Sequence, residues 1–115
     1  MKIGLQITKN EKKYDRLLSL IKSDFSEDVD FIHIPNEDSL KSNFKNLDVL
    51  VCYGIKKENF DYRSDKLKWI HIGASGVDGN LFPELIKSKV MITNAKGINA
   101  KPVAEFIMSQ ILYFS

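Results

Sequence analysis

A chain of 115 residues, 43% apolar and 28% charged with three prolines and six glycines, is long enough for one folded core and too short for two. Seventeen lysines and arginines against fifteen acids leave a formal charge of +2, with the basic residues scattered among acids such as Glu11, Asp15 and Glu58, so no nucleic-acid partner is expected. A lone Cys52 forms no intrachain disulfide and belongs to no metal-ligand spacing; the opening MKIGLQI is too short for a signal peptide, and no apolar run approaches the roughly 18 residues of a membrane span. The expectation is a cytoplasmic protein with neither metal nor membrane partner.

Five apolar runs of strand length follow one another: residues 3–7, 29–34, 49–53, 69–72 and 90–93. The third, Val49 to Tyr53, is apolar throughout, as inner strands of a parallel sheet are. Between the first two runs Tyr14, Leu17, Leu18 and Ile21 repeat at helical spacing opposite Glu11, Lys12, Asp15, Arg16 and Lys22, which predicts an amphipathic helix. Asn36 is placed to cap a second helix carrying Leu40, Phe44 and Leu47 on one face. Residues 55–68 are polar and aperiodic and read as a loop with at most one helical turn, Arg63 being solvated. Pro83 to Lys87 reads as a short helix with proline in its first turn, and a last helix runs from about Asn99 to the final residue.

Strands alternating with helices predict an α/β fold: a flavodoxin-like, doubly wound, five-stranded parallel sheet with helices on both faces. Ligands of such sheets lie at the carboxyl ends of the strands, which directs attention to the residues after Tyr53, Ile72 and Thr93. After the fourth strand comes Gly73-Ala74-Ser75-Gly76-Val77-Asp78-Gly79, a loop whose amides near Ser75 and Gly76 could hold a small carboxylate, or which could be only a tight turn. Its glycines are spaced three and three, which is no dinucleotide fingerprint. After the fifth strand, Gly97, Asn99 and Pro102 are consistent with a capped helix entry and nothing more. His33 and His71 alternate within apolar strands and read as packed residues, and Cys52 reads as core.

The stretch LKWIHIGASGVDGNLFPELIKSKVMITNAKGINAKPVAEFIMSQIL resembles D-isomer-specific 2-hydroxyacid dehydrogenases, which show an aromatic-containing strand, a G-x-G-V/I-D loop, a strand ending in T-N and a helix opening with A-E, in that order. The likeness is close over residues 67–112 and weaker over 1–60. It implies that residues 1–102 form a substrate-binding domain and that 103–115 begin an interdomain helix leading to an NAD(P)-binding domain. The amides of Ser75 and Gly76 would hold the substrate carboxylate. Tyr53 and Gly54 would form one edge of the pocket, Ile98 and Asn99 would shape another, and Val103 would lie near the nicotinamide of NAD or NADP. The implied reaction is hydride transfer between a 2-hydroxy acid and its 2-keto acid, but the family's catalytic arginine, acid and histidine match no position here, so this stretch by itself is expected to be inactive and to bind no cofactor.

Val103 to Phe114 is apolar nearly all round the helix and needs a second surface, so a homodimer and a truncated chain are expected. Other functions compatible with the same sequence are a stand-alone module for small carboxylates and a flavodoxin-like interaction domain. A receiver-type domain is disfavoured by Thr8-Lys9-Asn10 and Gly54-Ile55-Lys56, where acidic residues would be required.

Overall fold

The computed structural model describes residues 1–25, 28–73 and 81–94. Five four-residue strands, β1 (Lys2–Leu5), β2 (Asp30–His33), β3 (Val49–Cys52), β4 (Trp69–Ile72) and β5 (Met91–Asn94), form one sheet in the order β2-β1-β3-β4-β5. Every pairing is parallel. This is the doubly wound flavodoxin-like arrangement expected from the alternating pattern.

Register divides the sheet into two faces. Ile3, Val49, Trp69 and Met91 stand in one row across β1, β3, β4 and β5. Leu5, Val51, His71 and Thr93 form a second row on the same face, while Gly4, Leu50, Ile70 and Ile92 point to the other. The helix α1 (Glu11–Ile21) covers part of the first face, where Tyr14 stacks on His33 with ring centroids 4.0 Å apart. Three helices serve the second face: α2 (Glu37–Asn43), α3 (Lys57–Phe60) and α4 (Pro83–Lys87).

The second face holds the main core. Leu40, Phe44 and Leu47 from α2 and its 3-10 extension meet Leu50, Cys52, Ile70 and Ile72 from the central strands, all essentially without exposure. Gly4 is required there, because a Cβ would stand 2.5 Å from Leu47 Cδ1 and 2.7 Å from Ile34 Cδ1. The cap expected at Asn36 is formed, its Oδ1 accepting from Ser39 N at 2.8 Å, and the structure adds another at Asn10, whose Oδ1 accepts from Lys13 N at 2.9 Å. Each satisfies a first-turn amide that has no partner inside its helix.

The segment 55–68 is a loop with one helical turn, α3, as expected, but it also sends Ile55, Phe60 and Leu67 into the core. Phe60 meets Phe82 edge to face at 5.4 Å between centroids, which ties α3 to the entry of α4. Arg63 is exposed, as expected, and its guanidinium lies 4.0 Å from the Phe60 ring centroid and donates to the Phe60 carbonyl at 3.2 Å. Pro83 to Lys87 is helical, with Pro83 in the first turn. The helix expected from Asn99, and with it residues 103–115 as the start of an interdomain segment, lies outside the described residues.

Candidate functional site at the carboxyl edge of the sheet

The strand order places a reversal at β1 and β3. The chain leaves β1 for α1 on one face and leaves β3 for α3 on the other, so the loops diverge and a crevice opens at the strand ends between them. A cleft of about 690 Å³ occupies that crevice, walled by Gln6–Lys9 after β1, Ile34–Asp38 after β2, and Tyr53–Gly54 after β3. A second hollow of about 560 Å³ adjoins it, sharing Gln6, Glu37 and Gly54 and reaching Ile55–Lys57, Asn59 and Phe82.

Polar groups concentrate at the wall between the two hollows. Glu37 pairs with Lys56 at 3.0 Å. The hydrogen bond and charge of Lys56, helped by a hydrogen bond from buried Asn59, hold the Glu37 carboxyl below the ordinary carboxylate range. Lys56 is raised in turn, first by that hydrogen bond and then by the Glu37 charge. Gln6 donates its backbone N–H to the Val51 carbonyl at 2.8 Å, but its side-chain Oε1 is buried without a partner. An unpaired buried amide oxygen costs of order 1–3 kcal/mol, which a stable domain retains only for a reason.

Tyr53 and Gly54 line the cleft at the end of β3. The Tyr53 ring is 61% exposed and lies against Gly73, where a Cβ would be 3.2 Å from Tyr53 Cε1. The first residue of the glycine loop is therefore beside the residue that follows β3. Ser75 and Gly76, Ile98 and Asn99, and Val103 lie outside the described residues. Sequence reasoning passed over Gln6–Lys9 and Ile34–Asp38, because polar residues after a strand look like ordinary turns. Only the strand order distinguishes the β1–β3 crevice from the other loop ends.

Neither histidine is available as a free base at its bonded nitrogen. His33 Nε2 lies 2.8 Å from the Thr8 carbonyl, which only accepts, so that nitrogen carries the proton. His71 Nδ1 is 2.8 Å from Thr93 Oγ1, which also accepts from Trp69 Nε1 at 2.7 Å. Cys52 is buried and its thiol is pushed up to about 11 by burial, which removes it as a nucleophile. Among the described residues there is no group of three acids, histidines or cysteines placed to hold a metal, and no helix is long and apolar enough to cross a membrane.

A dinucleotide does not fit the described part of the site. The loop after β1, Gln6–Asn10, contains no glycine, whereas a pyrophosphate needs backbone amides that only glycine lets it approach.

A doubly wound parallel sheet with a cleft at its switch point defines an α/β domain of flavodoxin-like type. No protein-family model matches the chain. In sequence it is 34% identical, over 67 residues covering 57% of its length, to erythronate-4-phosphate dehydrogenase of Legionella pneumophila. In fold it is similar to the D-lactate dehydrogenases of Salmonella (TM-score 0.58, 11% identity) and of Escherichia coli (TM-score 0.55, 12% identity), each over 97% of this chain. The sequence match spans 19% of the curated relative, and the fold matches span 35% and 36% of the two solved chains. The sequence likeness to a dehydrogenase supports the resemblance to the D-2-hydroxyacid dehydrogenase family, and the fold likeness bears out the flavodoxin-like fold.

Proposed function

We propose that the chain is the substrate-side domain of an NAD(P)-dependent D-2-hydroxyacid dehydrogenase, which interconverts a 2-hydroxy acid and its 2-keto acid when joined to a cofactor domain. The observation that supports this most directly is the contact of Tyr53 with Gly73. It sets the residue after β3 beside Gly73, the residue from which the glycine loop sets out in sequence. In this reading the amides of Ser75 and Gly76 hold the substrate carboxylate, Tyr53 and Gly54 bound the pocket, and Ile98 and Asn99 close another side. Residues 1–102 then form the substrate domain and 103–115 open the helix toward the cofactor domain, with Val103 near the nicotinamide. The apolar character of that helix favours a homodimer in the cytoplasm. In this reading hydride transfer depends on the cofactor domain and the chain alone is inactive.

The test is an amide NMR titration of the chain with 2-oxobutanoate, with its methyl ester, and with NADH. The keto acid should shift the Ser75 and Gly76 amides saturably, the ester should not, and NADH should leave the spectrum unchanged. Equal binding of acid and ester would remove the carboxylate role, and saturable NADH binding would overturn the division of labour between domains.

A further inference from the structure

Where β4 and β5 run side by side, three hydrogen-bonding side chains meet on the first face of the sheet. His71 and Thr93 are register partners, and Trp69 stands two residues earlier on β4, on the same face. Trp69 Nε1 lies 2.7 Å from Thr93 Oγ1, and His71 Nδ1 lies 2.8 Å from the same oxygen. An indole N–H only donates, so Thr93 accepts from Trp69. The hydroxyl's own proton then has one acceptor among the described residues, His71 Nδ1. Indole N–H, hydroxyl and imidazole so form a head-to-tail relay in which each bond polarises the next. The opposite arrangement, with a proton on Nδ1, aims two donors at one oxygen and takes the hydroxyl proton off its acceptor. The relay therefore puts the His71 proton on Nε2.

We propose that Trp69, Thr93 and His71 form a charge-sensitive tie between β4 and β5, in which protonation of His71 turns the Thr93 hydroxyl from donor to acceptor and weakens the bond from Trp69. A proton reaches Nδ1 only if the hydroxyl turns away. Oγ1 then holds two donors, one of them cationic, in place of one. Imidazoles change charge between about pH 5 and 8, and the described surroundings give the tie to His71 alone. On this face β3 sets Val49 and Val51 beside β4, and β5 sets Met91 and Thr93. Tyr53, after β3, is a phenol and keeps its proton through that range. The helix α1 turns Tyr14 to the face and leaves its charged side chains exposed. Among the described residues the other imidazole, His33, lies on β2, with β1 and β3 between it and β4. The tie sits at the root of the glycine loop, since Gly73 comes two residues after His71 and Asn94 directly after Thr93. It holds whether or not Ser75 and Gly76 bind a carboxylate.

An NMR titration of the full chain from about pH 8 to 5 tests the tie. At the alkaline end the ring nitrogens of His71 should show the proton on Nε2. His33 serves as the internal reference for that form, because its Nε2 faces the Thr8 carbonyl. Trp69 is the one tryptophan in the sequence, so its indole N–H gives a single signal. As His71 takes up its proton, that signal should move upfield in one step with the same midpoint as the His71 ring protons. In Thr93→Val the indole signal should already stand upfield at the alkaline end, and its step should shrink several-fold. Thr93→Ser, which keeps the hydroxyl, should retain the step, and His71→Gln should abolish it. The tautomer and the parent titration need no variant, so they decide the matter even where a variant fails to fold. The proposal is overturned if Nδ1 carries the proton at the alkaline end, if the indole signal stays flat while His71 titrates, or if Thr93→Val leaves the step at full size.

Discussion

The ring of Tyr53 lies across Gly73, so closely that a methyl group on Gly73 would stand 3.2 Å from Tyr53 Cε1 and 3.3 Å from Cδ1. Gly73 is also bonded through its N–H to the Cys52 carbonyl at 2.8 Å, which fixes its backbone beside the end of β3. The partner that must give way in a Gly73→Ala variant is therefore the exposed ring. We expect stability to change by less than about 1 kcal/mol, as at other surface positions, while the Tyr53 ring protons shift in the NMR spectrum and 2-keto acid affinity falls. Unchanged ring shifts would mean that the contact does not persist in solution.

Gly4 is the opposite case. A Cβ there would lie 2.5 Å from Leu47 Cδ1 and 2.7 Å from Ile34 Cδ1, and both side chains are fully buried. Gly→Ala elsewhere gains about 0.4–1 kcal/mol from the unfolded chain, but overpacking of a filled core costs about 1–3 kcal/mol and should win. Gly4→Ala should be clearly destabilised in urea unfolding, and Leu47→Val in the same chain should recover part of the loss, a non-additivity expected only if the two groups collide.

These two glycines also mark how far the sequence can be read. The strands, α1, α2 and α4 were legible because each carries its own signal: an apolar run, a 3.6-residue stripe, a capping asparagine or a first-turn proline. The core role of Ile55, Phe60 and Leu67 was not, because five and seven residues separate them and no period links them; their burial is decided by how α3 and its flanks fold back on β3 and β4. The same holds for the cleft. Tyr53 and Gly54 were found through a family resemblance, whereas Gln6, Thr8 and Glu37 become neighbours only when β1 pairs between β2 and β3.

Cys52 gives a pH prediction with a definite sign. Burial raises its thiol from 9.0 to about 11, so the folded state holds the proton more tightly than the unfolded chain does. The resulting stability is fully present below the ordinary thiol value and is lost as pH rises toward the folded value. Between the two it should fall by about 1.4 kcal/mol per pH unit. Tyr14, raised mainly by burial, acts in the same direction, so the measurement is the difference between the parent and Cys52→Ala in urea unfolding from pH 8 to 11. The parent should lose stability more steeply. Rapid alkylation of Cys52 in the native protein at pH 8 would contradict the burial that underlies the shift.

The pairs Lys56–Glu37 at 3.0 Å and Lys57–Glu84 at 3.1 Å join the start of α3 to α2 and α4; Lys56, Glu37 and Lys57 are more than half exposed, while Glu84 is half-buried. Water and salt screen such pairs, so replacing Lys56 by Met should leave global stability almost unchanged. The local effect should be larger, because Glu37 forms the wall shared by the two hollows. Its carboxyl is held below the ordinary range by Lys56, so the pair is intact above that range and is lost as pH falls through the lowered value of Glu37. On the alkaline side Lys56 is raised, so the pair persists up to the ordinary lysine value and is lost as pH climbs through the raised one. Titration of the Glu37 side-chain carboxyl by NMR should therefore move upward toward the ordinary value in Lys56→Met. A Glu37 titration insensitive to Lys56 would show that the pair does not form in solution.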